Sequence, residues 1–348
     1  FLGLSTLTVM ARACELIRER HGVDLDIHSI PIDDHETFEL LGRGDVLGVF
    51  QVEGVGMRRY LMDMKPRELA NVIAMVALYR PGPMEFIPTY INRMHGNEQV
   101  SYRHPTLAKI FEETYGIPVY QEQIMSAAME MADYTASEAD GLRKAISKKK
   151  AKSLARHREK FIKGAVDKGV EEGTAGEVFD DWENFARYGF NKAHAADYGV
   201  IAVQTAYLKA HYPLEYMTAL LSVFKHDTDR VAIYVADCRR MDIDVLPPDV
   251  NTSELDFAAQ TNGDGQAAIR FGLGAVKNVG HGPVQSILEA RRDGGPFESV
   301  EDFARRTDLR QVGKRALESL IRVGALDRLA SRIAMLEALD RIIAVSSG

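Results

Sequence analysis

Apolar residues recur at spacings of three and four along most of the chain, the signature of helices that turn one face toward a core. The pattern predicts helices over residues 7–20, 69–79, 121–132, 137–146, 155–168, 175–187, 193–211 and 214–224. Alternating or short continuous apolar runs are few, and residues 46–52, 119–120, 245–246 and 268–271 are the expected strands. The expected class is mainly α with small β elements. Pro66, Pro81, Pro83, Pro105, Pro118 and Pro213 fall at predicted helix ends, where a missing N–H and a fixed φ cost least.

The helical pattern breaks at Pro247-Pro248, and Thr261-Asn262-Gly263-Asp264-Gly265 supplies a turn between two short β-like runs. Beyond it, Gly272-Leu273-Gly274-Ala275-Val276-Lys277-Asn278-Val279-Gly280 leads into a predicted helix from Pro283 to Arg292. This order resembles a helix-hairpin-helix, in which a glycine hairpin lets backbone N–H groups face a phosphate and the next helix adds its dipole. Asn278 stands where that motif usually has glycine, and asparagine tolerates positive φ better than other side chains do. Lys277, Asn278 and Gly280 are therefore the expected DNA contacts here. The competing reading is a helical packing unit that touches no DNA. A more degenerate second unit is expected over residues 312–324.

No run of eighteen apolar residues occurs and the first ten residues carry no basic leader, so a cytoplasmic protein with no membrane partner is expected. Phe1-Leu2-Gly3-Leu4 reads as the end of a strand or turn, which leads to the expectation of an internal piece of a longer chain. Cys14 and Cys238 lie far apart in helix-like patterns and are expected as core thiols, not as a disulfide or zinc site.

A formal charge of -7 argues against a nucleic-acid partner, but its distribution changes the picture. Between Arg143 and Lys168 there are eleven Lys or Arg against Glu159 and Asp167, a local +9 that leaves -16 for the remainder. Such segregation predicts one anion-facing surface. Lysines at 148, 149 and 150 cannot share one ligand on a helix, so Lys148, Lys149 and Lys152 are expected on the DNA backbone or in solvent. Arg143 is the better single ligand for a phosphate because guanidinium binds bidentately.

Gly189-Phe190-Asn191-Lys192-Ala193-His194 opens a long predicted helix with polar side chains in its first turn, a place that attracts anions. Tyr188, Asn191, Lys192 and His194 are candidate triphosphate or sugar contacts, the alternative for His194 being an N-terminal hydrogen-bonding residue. Tyr79-Arg80-Pro81-Gly82-Pro83 is a rigid turn whose arginine is read either as a ligand or as a helix-capping or salt-bridging residue.

Four runs carry a family likeness: Ala77-Leu78-Tyr79-Arg80-Pro81-Gly82-Pro83-Met84, Val119-Tyr120-Gln121-Glu122-Gln123, Glu138-Ala139-Asp140 with Leu142-Arg143-Lys144-Ala145, and Tyr188 to Ala195. In this order they closely resemble the α subunits of bacterial DNA polymerase III, the C-family replicative polymerases. The resemblance implies nucleotidyl transfer with two Mg²⁺ ions held by three aspartates that precede this segment in the family. It assigns 1–55 to the end of the palm, 56–225 to helical fingers, 226–330 to a helix-hairpin-helix module and 331–348 to a C-terminal helix. By motif match, Arg143 and Lys144 fall on the triphosphate, Lys144 replacing a second arginine and losing its fork. No catalytic or metal-ligating residue is expected within the chain itself. The implied partners are primer-template DNA, dNTP, and in the family a sliding clamp and other replicase subunits. Two other readings compete: a non-catalytic DNA-binding protein that reuses fingers and hairpins, and a helix-hairpin-helix repair enzyme.

Overall fold

A computed structural model describes residues 3–147, 151–185 and 189–345. It forms two compact units, one of Pro31–Tyr207 and one of Phe1–Ile30 with Leu208–Gly348.

The Pro31–Tyr207 unit is helical, and its centre is the helix Leu69–Leu78, in which every residue from Asn71 to Leu78 is buried. Its sequence, Leu-Ala-Asn-Val-Ile-Ala-Met-Val-Ala-Leu, offers no polar face apart from Asn71, so the fold surrounds it. The helix Lys192–His211 crosses it closely: a Cβ on Gly199 would sit 2.7 Å from the Ile73 Cγ1. A second core joins the helices Gln121–Ala132, Ala136–Ser147, Ala151–Asp167 and Glu172–Phe185. Phe161 lies between Phe179 and Trp182, with ring centroids 5.8 and 4.7 Å away, a spacing that favours tilted aromatic contacts. Gly164 lets the third of these helices approach the first, because a Cβ there would meet the Ala132 carbonyl oxygen at 2.5 Å.

The expected strand over residues 46–52 is not formed. Val46, Val49 and Val52 are all fully buried and are joined by turns, Val49 N–H to Val46 O at 3.0 Å and Val52 N–H to Val49 O at 3.4 Å. Positive φ at Gly48 (76°) and Gln51 (67°) bends the chain so that apolar residues return every third position, not every second. Residues 119–120 contribute only one bridge, Tyr120 beside Phe190 in parallel. The unanticipated helices His35–Arg43, Val55–Met64, Ile87–Met94 and Pro105–Phe111 complete the unit.

In the other unit the helix Ser5–His21 packs on Pro213–Val223, whose residues Leu214 to Ser222 are all buried. Glu215, almost fully buried, receives Arg20 Nε at 2.7 Å and lies 3.0 Å from His21 Nε2. Three short strands follow, β1 (Asp244–Leu246), β2 (Ala258–Thr261) and β3 (Ala267–Arg270), in the order β1-β3-β2. β1 runs parallel to β3 with Val245 opposite Ile269, and β2 runs antiparallel with Ala259 opposite Ile269. The β2–β3 turn is closed by Asn262, whose side-chain oxygen accepts from Asp264 N–H (3.0 Å) and Gln266 N–H (2.9 Å). A further apolar core runs from Val250 through the helices His281–Gly294, Val300–Arg306 and Lys314–Arg322 to Ile342. Among the described residues no helix is long and apolar enough to cross a membrane.

Candidate nucleotide site and nucleic-acid interface

The four motif runs, more than a hundred residues apart at their ends, meet within the Pro31–Tyr207 unit. Each residue of Tyr120-Gln121-Glu122-Gln123 has a separate role in this. Gln123 turns back to cap its own helix, its side-chain oxygen accepting from Tyr120 N–H at 2.9 Å. Tyr120 and Gln121 pair with Phe190 through the backbone: Gln121 N–H donates to Phe190 O (2.9 Å) and Phe190 N–H to Val119 O (3.1 Å). The Gln121 side chain donates to Gly189 O at 2.8 Å and accepts from Arg143 NH1 at 3.3 Å, so it ties the Arg143 helix to the start of the long helix. Glu122 accepts from the Asn191 side-chain amide at 2.8 Å and from Lys192 N–H at 3.0 Å.

Asn191 caps the long helix, its side-chain oxygen accepting from His194 N–H at 2.8 Å. His194 is exposed and lies between Phe190 (5.5 Å) and Tyr198 (4.6 Å), ring to ring. Arg80 places its guanidinium 4.4 Å from the Phe190 ring centroid and donates from Nε to Ala77 O at 2.8 Å. That arginine therefore caps the buried helix and stacks on the motif, as the capping reading of the turn anticipated. Gly82 at φ 101° makes the turn, a conformation that side chains rarely adopt.

The cations of the site are paired. Asp140 receives Arg143 NH2 at 2.7 Å and Lys144 Nζ at 2.6 Å, and these hydrogen bonds, Lys144 first, hold its carboxyl below the usual range. Lys192 Nζ is 2.8 Å from both Glu113 oxygens and 5.4 Å from the Tyr120 ring centroid. A cleft of about 470 Å³ opens against Lys109, Glu113, Glu122 and Lys192, within the size range of small-ligand pockets. Sequence reasoning quoted Gln121, Glu122 and Asp140 but gave them no role, and it missed Glu113. Only Asp140 left a signal, its spacing of three and four residues before Arg143 and Lys144.

The basic segment is less segregated in space than in sequence. Besides Arg143 and Lys144, Arg158 pairs with Asp180 (3.1 Å), Lys160 with Glu138, and Lys168 with Asp133 (2.8 Å). The Lys160 hydrogen bond, with help from Thr135, pulls the Glu138 carboxyl down to about 2. Lys152, Arg156 and Lys163 form no ion pair among the described residues, and Lys152 and Arg156 are exposed. Lys148, Lys149 and Tyr188 lie outside the described residues.

In the other unit, Asn278 has φ 70°, the left-handed conformation its place in the hairpin requires, and its side chain donates to Ser319 Oγ at 3.1 Å. Val276 and Val279 anchor the hairpin in the core while Lys277, Asn278 and Gly280 face solvent. Gly280 has φ -86°, and a Cβ there would meet nothing nearer than 4.0 Å. Within the expected second unit, Gly313 (φ 77°) joins the helices Leu309–Val312 and Lys314–Arg322. The model for the bacterial DNA polymerase III alpha subunit finger domain matches residues 6–169, and one for the helix-hairpin-helix motif matches 242–335. A DNA polymerase III subunit alpha from Thermus aquaticus is 52% identical over 348 residues, covering 99% of this chain.

The chain belongs to the bacterial DNA polymerase III alpha-subunit family.

Relatives of the same name from Deinococcus radiodurans and Pseudomonas aeruginosa are 48% and 44% identical, covering 100% and 94% of this chain. The chain spans only 28%, 26% and 29% of the length of these three polymerase subunits. Among the described residues, no group of three or more His, Cys, Asp or Glu side chains is arranged to hold a metal ion. Glu113, Glu122 and Asp140 are each engaged by cations or N–H donors, so this donor set does not fit a two-metal centre.

Proposed function

We propose that this chain supplies the fingers and helix-hairpin-helix portion of a DNA-directed DNA polymerase of bacterial chromosome replication. In this reading, 1–55 end the palm, 56–225 form fingers that hold incoming dNTP and template, 226–330 grip DNA, and 331–348 form a C-terminal helix. Arg143, Lys144, Tyr188, Asn191, Lys192 and His194 serve the nucleotide, while Lys148, Lys149, Lys152, Lys277, Asn278 and Gly280 serve the primer-template. The observation that carries the reading is the convergence of Arg143, Gln121 and the Asn191–His194 helix start, whose Lys192 also lines an open cleft. Backbone N–H groups and a guanidinium brought to one place are what a polyphosphate requires. Mg²⁺, held elsewhere in the full-length polymerase, would supply charge neutralisation during transfer. The cytoplasm is the proposed location.

The test is single-turnover dNTP incorporation at saturating DNA by a full-length polymerase carrying this segment. Arg143→Ala is expected to slow it by about thirty- to a thousand-fold, since a lost charge-assisted contact costs about 2–4 kcal/mol in the transition state. Lys152→Ala is expected to cost about 1 kcal/mol or less, as exposed charges do. Equal effects would remove Arg143 from the triphosphate.

A further inference from the structure

The donors assigned to the polyphosphate are already bound by carboxylates of the same unit. Asp140 holds Arg143 and Lys144, Glu113 holds the Lys192 ammonium, and Glu122 holds the Asn191 amide and the Lys192 N–H. These carboxylates come from three separate elements: the 3₁₀ turn Glu112–Thr114, the helix Gln121–Ala132 and the helix Ala136–Ser147. The Asp140 and Glu113 side chains are 34% and 38% exposed, so the cations they hold can exchange each carboxylate for water or for a competing anion.

We infer that Glu113, Glu122 and Asp140 are specificity-determining residues, resident anions that a ligand must displace. This rests on the nucleotide reading above. While no nucleotide is bound, they neutralise and orient the guanidinium, the ammonium groups and the helix N-terminus. A ligand then gains from the site only what it offers beyond three carboxylates. Orthophosphate and pyrophosphate, with fewer charges and no base or sugar to engage His194 and Phe190, bind too weakly to displace them all. A nucleoside triphosphate engages the donors together and also gains contacts the small anions lack. Discrimination of this kind comes from a penalty on the wrong ligand as much as from attraction to the right one. It also serves a polymerase's needs, because pyrophosphate is the leaving group and must not stay.

Competition against a fluorescent dATP derivative by dATP, pyrophosphate and orthophosphate, on the 348-residue chain, tests this. The variants are Glu113→Gln, Glu122→Gln and Asp140→Asn, which keep an acceptor oxygen and remove the charge, with Arg143→Ala as reference and circular dichroism to verify folding. Each charge-removing variant is expected to tighten pyrophosphate by about two- to fivefold and dATP by less, so that the preference for dATP over pyrophosphate narrows. An unchanged preference, or weaker binding of both ligands in the folded variants, overturns the inference while leaving the nucleotide site intact if Arg143→Ala still weakens dATP. Nucleotide binding that ignores Arg143→Ala sinks the underlying site and the inference with it.

Discussion

Lys209 and Asp237 form an ion pair 2.7 Å long in which both side chains are entirely buried, joining the last turn of the helix Lys192–His211 to the helix Thr228–Arg240. Asp237 also receives Arg240 at 2.8 Å, and Arg240 is about half exposed.

The two partners are therefore not equivalent. Asp237→Asn takes the carboxylate from both Lys209 and Arg240 and is expected to cost about 3–5 kcal/mol, while Lys209→Met leaves the carboxylate on Arg240 and costs less. The double change Lys209→Met with Asp237→Leu should recover much of the loss. Urea unfolding of the four proteins checks this, and a pair of equal single-site losses would contradict it.

The hairpin separates stability from binding at Gly280 and Asn278. Gly280→Ala should leave the folding stability within about 1 kcal/mol of the parent, because its backbone angles and surroundings accept a methyl group. The same change should weaken duplex DNA binding, since the methyl group shields N–H donors from phosphate. Asn278→Val, at φ 70°, should instead destabilise the hairpin by about 1–2 kcal/mol. Thermal melts and fluorescence anisotropy on the same samples distinguish the two.

Salt dependence reports how many charges remain available. With Arg143, Lys144, Arg158, Lys160 and Lys168 in ion pairs, these five should add few released counterions when the segment binds primer-template DNA. Phosphates neutralised by Lys152, Arg156 and Lys163 would contribute about -3 to the slope of log affinity against log salt, beside the share of Lys148, Lys149 and Lys277. Removing these three by alanine substitution should flatten it by about that amount. A slope unmoved by the triple change would place the contacts elsewhere.

Burial pushes the Cys238 thiol up to about 12. Its thiolate fraction near pH 8 is then minute, and an electrophile such as iodoacetamide should modify it only in denaturant. Cys14, half-buried with a thiol also raised, chiefly by burial, should react first but slowly. Mass spectrometry of the timed reaction decides the order.

How far the sequence could be read depended on the range of the interaction. The helix over residues 121–132 was legible to the residue because its apolar period is local. The left-handed Asn278 was legible because its hairpin motif is local as well. Residues 46–52 misled, since three valines on successive turns imitate an apolar strand until positive φ at Gly48 and Gln51 is known. The helix Val55–Met64 went unread because its buried residues, Met57, Leu61 and Met64, sit among exposed Val55 and Met62. At the candidate site the motif residues were legible as types, but the pairing of Lys192 with Glu113, seventy-nine positions apart, was not. Nor was the cancellation of the basic segment by Asp133, Glu138 and Asp180, because charge summed along the chain does not register which side chains meet.

The packing of Ser5–His21 on Pro213–Val223 sets a timetable for synthesis on the ribosome. The first helix emerges roughly 190 residues before the helix that covers it, and at about 5–20 residues per second it waits roughly 10–40 s with an apolar stripe uncovered. The whole Pro31–Tyr207 unit is translated within that interval and can close its own cores first. Val9, Met10, Ala13 and Ile17 are thus the residues that a nascent-chain chaperone would meet longest.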